Sequence, residues 1–148
     1  MDKREILDQL ESLLAESKVA VLATVDPESG PAVRWVTPVL IPGRSGYIYA
    51  LTSPGFRKVS HIRSNPMVEW MVQTKDLNKI VTVKGRAEVL DNPSLKSEVL
   101  EAIGPRLEVF WRVNPETEFV VLETEILSIT YFPAMRKEKV TVDFGVNG

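Results

Sequence analysis

Six runs rich in β-branched and aromatic residues constrain this chain most: Val19–Val25, Ala32–Ile41, Tyr47–Thr52, Met67–Thr74, Lys79–Leu90 and Phe119–Phe132. Such residues fit a pleated, half-buried surface, and the clusters between them carry turn chemistry. Asp26-Pro27-Glu28-Ser29-Gly30 and Pro42-Gly43-Arg44-Ser45-Gly46 are short enough to predict an antiparallel meander of the first three strands. The fourth and fifth read as a charged hairpin. Helices are expected at three places. Asp2-Lys3-Arg4-Glu5 can form a capping box ahead of Ile6, Leu7, Leu10, Leu13 and Leu14, which recur at helical spacing to about Ser17. Phe56–Ser64 suits two turns before Asn65-Pro66 stops it. Asn92 followed by Pro93 is an N-cap with proline at the first helical position, and Gly104-Pro105 ends that helix. A further helical piece is expected over Arg106–Val113. Six strands with helices at the start and on one side predict an α+β antiparallel barrel.

At 148 residues the chain has the size of one domain, residues 1–148, with no repeat or linker to divide it. It contains no Cys, which excludes disulfide frameworks, thiolate metal sites and cysteine nucleophiles. His61 is the sole histidine, so one subunit cannot build a site from several imidazoles. A net charge of −2 supplies no basic field for nucleic acid. The longest uncharged run, Ser45–Phe56, is far shorter than the roughly 20 residues a membrane span needs. The N-terminus alternates acids and bases, unlike a signal peptide. A soluble, cytoplasmic protein is expected, without nucleic-acid or membrane partners.

Cation placement points to chemistry. Arg57 and Lys58 open the short helix, where unsatisfied N–H groups already create positive potential. They read either as two solvated surface cations or, with the backbone donors after Ser53 and Gly55, as a pocket for a phosphate dianion. Arg34 lies within an otherwise apolar strand, where an unpaired guanidinium is costly to bury, so it points at an anion, an acidic partner or solvent. If the three converge, charge-assisted hydrogen bonds at roughly 1.5–3 kcal/mol each supply much of the ~8 kcal/mol of a micromolar complex.

Ala23-Thr24-Val25-Asp26, Gly30-Pro31 and Arg34-Trp35-Val36-Thr37-Pro38 resemble the opening of the pyridoxamine 5'-phosphate oxidase-like split-barrel family. So do Ala50-Leu51-Thr52-Ser53, Arg57-Lys58-Val59, Ile62 and Asn65-Pro66, and the likeness is strongest to the general stress protein 26-like members. The resemblance covers about residues 14–90. It implies a six-stranded antiparallel split β-barrel with flanking helices, a homodimer, and FMN bound at the dimer interface. It also implies that Arg34 holds the phosphate, that Trp35, Val36 and Thr37 border the flavin ring, that Leu51 and Thr52 lie beside the ribityl phosphate, and that Arg57 and Lys58 close on it. An FMN-dependent oxidoreductase of unknown substrate is expected. The C-terminal Arg-x-His pattern of the authentic oxidases is absent, so pyridoxamine phosphate is not the expected substrate, and their flavin-contacting glutamine falls at Ile80. Related barrels bind deazaflavin or haem, for which the lone His61 is a poor axial ligand.

No residue identifies itself as a general acid or base. Trp70 is expected in the core. Phe110-Trp111 reads as a lid over a partner's flavin or as a buried helix face, and Glu69, Lys84, Arg86 and Glu88 as a solvent face or polar interface. Arg136–Lys139 reads as a solvated turn. Two further classes remain open: a flavin-binding or stress-related protein without turnover, and a cofactor-free small-barrel interaction module.

Overall fold

Local signals build the helices as the chain is read. Asp2 accepts a hydrogen bond from the Glu5 N–H at 2.8 Å and caps α1 (Lys3–Ser17), which buries Ile6, Leu10, Leu13 and Leu14. α1 ends where Lys18 turns left-handed, with φ 65° and its N–H on Leu14 O. Asn92 caps α3 (Pro93–Ile103) by accepting from the Leu95 N–H at 3.0 Å. Between them α2 (Arg57–Ser64) follows Phe56, which gives it no side-chain cap. The computed structural model describes residues 1–53, 55–104, 119–136 and 138–144. The expected helix at Arg106–Val113 and the Phe110-Trp111 pair lie outside the described residues, as does residue 137 of the Arg136–Lys139 turn.

Among the described residues seven strands form one antiparallel sheet that is not closed: β1 (Ala20–Asp26), β2 (Gly30–Val36), β3 (Tyr47–Thr52), β4 (Met67–Gln73), β5 (Lys79–Leu90), β6 (Val120–Pro133) and β7 (Val140–Asp143). The order is β2-β1-β4-β5-β6-β3. β5 runs along one edge of β6, while β3 pairs with Val120–Glu125 and β7 with Ser128–Tyr131. The α+β antiparallel expectation holds. The meander does not: β2 and β3 stand at opposite ends of the path. β2 stops at Val36 because Pro38 lacks a donor and constrains Thr37. The chain then crosses over, touching β3 through a bridge between Val39 and Tyr49 with bonds of 2.7 and 2.9 Å. The seventh strand, missed in the sequence, is short and flanked by charge.

Among the described residues two clusters make the core. The inner face packs Leu22, Ile48, Val68, Trp70, Val81, Val83, Leu122 and Ile129 against the α1 stripe. The outer face of β3 and β6 packs Tyr49, Leu51 and Val121 against Leu95, Val99 and Ile103 of α3. Trp70 is in the core as expected, its Nε1–H donating to Thr124 Oγ1 at 3.1 Å. Among the described residues no helix is long and apolar enough to cross a membrane.

Candidate functional site

The β1–β2 turn, the edge strand β2 and the start of α2 enclose a cavity of about 590 Å³. Arg34, Arg57 and Lys58 line it together, with Asp26 and His61. Three cations against one carboxylate leave a formal charge of +2 in the wall, counting His61 as neutral.

Each group has a structural reason for its position. Arg34 alternates with exposed neighbours on β2, which puts it on the cavity side, half-buried, with Nη1–H donating to Leu22 O at 3.1 Å. Burial lowers its pKa from the ordinary arginine value. Lys58 lies in the first turn of α2 with its ammonium 4.4 Å from the Phe56 ring centroid. Its pKa is pushed down to about 8, first by burial and then by the charge of Arg34. Arg57 is 83% exposed and reaches Asp26 Oδ2 at 3.5 Å. Asp26 is held by the turn, the Glu28 N–H donating to Oδ1 at 2.9 Å. That backbone bond, then the Ser29 hydroxyl, keep its carboxyl below the usual carboxylate range. His61 is on the buried face of α2, where Nδ1 shares a 2.9 Å hydrogen bond with Thr24 Oγ1 of β1 and Nε2 lies 3.5 Å from Asp26 Oδ2.

The other expected site residues lie away from this cavity. Trp35 points to the opposite face of β2 and is 63% exposed. Val36 packs against the inner core, and Thr37 stands just past the end of β2. Leu51 is buried against the α3 cluster. Thr52 is also buried, and its Oγ1 has no hydrogen-bond partner among the described residues. The Gln73 Oε1 is buried in the same way, on the residue directly across from Ile80 in the β4–β5 ladder. Sequence reasoning missed Asp26 and His61 as parts of the cavity wall. Asp26 carried only a turn signal, and nothing local links His61 to Thr24.

A larger groove of about 800 Å³ runs between α1 and residues 40–47. Lys3, Arg4 and Arg44 face Asp8, Glu11 and Glu125 there, so it has no preferred ligand charge. No group of three or more acidic or imidazole side chains among the described residues could hold a metal.

Comparison with solved structures finds the same fold in several proteins. A Clostridium acetobutylicum protein related to general stress protein 26 and assigned to the pyridoxinephosphate oxidase family is 13% identical, with 97% of each chain covered and a TM-score of 0.77. A pyridoxamine 5'-phosphate oxidase-related, FMN-binding protein from Nostoc punctiforme is 12% identical over 97% of this chain and 95% of that one, with a TM-score of 0.62. An FAD-binding protein from Mesorhizobium loti is 21% identical over 84% and 90%, with a TM-score of 0.63. A search of curated proteins gives no match. Residues 6–130 match the family described as pyridoxamine 5'-phosphate oxidase, and on that match the chain belongs to this family.

Proposed function

We propose that this protein is a flavoprotein that binds FMN and acts as an oxidoreductase on a substrate other than pyridoxamine phosphate. The observation that carries the reading is the convergence of Arg34, Arg57 and Lys58, distant in sequence, on one cavity. The donor set fits a phosphomonoester: a formal wall charge of +2 matches a dianion, and guanidinium and ammonium groups are strong phosphate donors. Two proteins with this fold, one FMN-binding and one FAD-binding, support a flavin as the class of ligand. Between them, FMN presents the dianionic monoester, whereas each phosphate of FAD carries one charge.

In this reading the three cations hold the phosphate. The backbone of Trp35, Val36 and Thr37 faces the polar edge of the ring, while Leu51 and Thr52, both buried, are not among the groups that line the phosphate cavity. Gln73, across from Ile80, supplies the amide that Ile80 cannot. Bound flavin supplies hydride and electron transfer, and the chain supplies placement and electrostatics. We further propose a homodimer, with the flavin at its interface, supported by the exposed apolar face of β2, β1 and β4. There Val33 and Trp35 are 67% and 63% exposed, and Trp35 lies beside Val21, which lies beside Met71.

The purified protein should show a flavin absorption spectrum or quench flavin fluorescence on titration. Replacing both Arg57 and Lys58 by Ala should weaken FMN by about a hundredfold and riboflavin little, since two charge-assisted contacts go to the phosphate alone. Gln73→Leu should instead weaken both ligands alike. Equal losses for FMN and riboflavin in the double variant would contradict the phosphate pocket. Oxidation of a reduced nicotinamide by the loaded protein separates an oxidoreductase from a binder without turnover.

A further inference from the structure

We propose that Asp26 is a built-in competitor for Arg57, an anion of the protein's own that the ligand phosphate must displace, and that it keeps the flavin exchangeable. The inference rests on the phosphate reading above. Its geometry is asymmetric. Asp26 is 14% exposed and anchored, with Oδ1 on the Glu28 N–H at 2.9 Å and Oδ2 facing His61 Nε2 at 3.5 Å. Arg57, on the other side of the 3.5 Å pair, is 83% exposed and free to swing. The pair therefore opens from the Arg57 side, and the carboxylate stays in the wall.

His61 makes this possible. Its ring is fixed by Thr24 at 2.9 Å, so the carboxylate keeps a partner after Arg57 leaves. A bound dianion then shares its cavity with a fixed negative charge, and the like-charge repulsion raises its rate of escape without touching the ring. The hydrogen bonds from Glu28 and Ser29 keep that carboxyl ionised well below neutral pH, so the competition is always present in the cell.

Asp26→Asn keeps the acceptor for the Glu28 N–H and removes the charge, and Asp26→Ser is a second neutral residue that can cap the same turn. Both should bind FMN about five- to tenfold more tightly, with correspondingly slower release, and bind riboflavin as the unaltered protein does. FMN affinity unchanged or lowered, with riboflavin affinity intact, would overturn the proposal. A protein that binds FMN no better than riboflavin before any substitution would overturn the phosphate reading, and this proposal with it. Should the variants not fold, the unaltered protein still decides. Asp26 is faced by Arg57 and His61 from α2 and by Glu28 and Ser29 from its own turn, so saturation with FMN should raise its carboxyl titration midpoint, read by carbon-13 NMR. Riboflavin should leave the midpoint in place. A midpoint equal in both complexes overturns the competition.

Discussion

Lys58 is the residue whose environment most alters its chemistry. Burial and Arg34 bring its pKa down to about 8, so the unliganded protein sheds that proton within a unit or so of neutral pH. A dianion beside it would restore the charge, and binding would then take up a proton. FMN affinity should therefore fall as pH rises through 8, by up to about tenfold per unit, and also fall below about pH 6 as the phosphate loses its second charge. Lys58→Arg should flatten the alkaline limb, because arginine stays charged there. Isothermal titration between pH 6 and 10 checks this, and a flat profile in the unaltered protein would contradict it. Stability runs the other way. The unfolded chain keeps the Lys58 proton to about 10.5 and the folded one only to about 8, so unliganded stability rises with pH between those values.

At the scale of elements, Gly85 shows why one long strand tolerates a register shift. The β5–β6 ladder slips between Lys84 and Gly85. A Cβ on Gly85 would collide with the Thr124 methyl group and lie 2.8 Å from Glu125 O, both on β6. Gly85→Ala should lower the stability by about 1–3 kcal/mol, because neither backbone nor a buried threonine can yield cheaply. A urea midpoint equal to that of the unaltered protein would refute this. The same threonine accepts from Trp70, so the substitution should also shift the tryptophan emission spectrum. Element boundaries follow equally local causes: Pro38 ends β2, while Asp2 and Asn92 start their helices.

For the whole molecule, the decisive feature is that β2 has two different faces. Arg34 turns toward the cavity and Val33, 67% exposed, lies on its rim, while Trp35 points outward from an edge strand that pairs with β1 among the described residues. Large exposed apolar side chains on an edge invite a second sheet or subunit. The proposed homodimer predicts that Val33→Lys combined with Trp35→Glu yields monomers in sedimentation, with the secondary structure intact. A variant that remains dimeric would move the interface elsewhere. If the flavin lies at that interface, the monomer should also bind it poorly.

Much of this protein was legible in its order of residues. Capping side chains, the helical stripe of α1 and the apolar runs act over a few positions, so the three described helices and six of the seven strands follow from local preference. Trp70 could be assigned to the core because apolar neighbours alternate around it. The placement of β3 beside β6 could not be read, since that pairing joins residues 68 to 78 positions apart and its only local hint is where Pro38 breaks β2. The cavity is of the same kind. The positions of Arg57 and Lys58 at a helix start and of Arg34 inside a strand made each a candidate separately. Bringing them to one wall with Asp26 and His61 took the packing of α2 across β1, because charge convergence depends on distances in space that no spacing along the chain encodes.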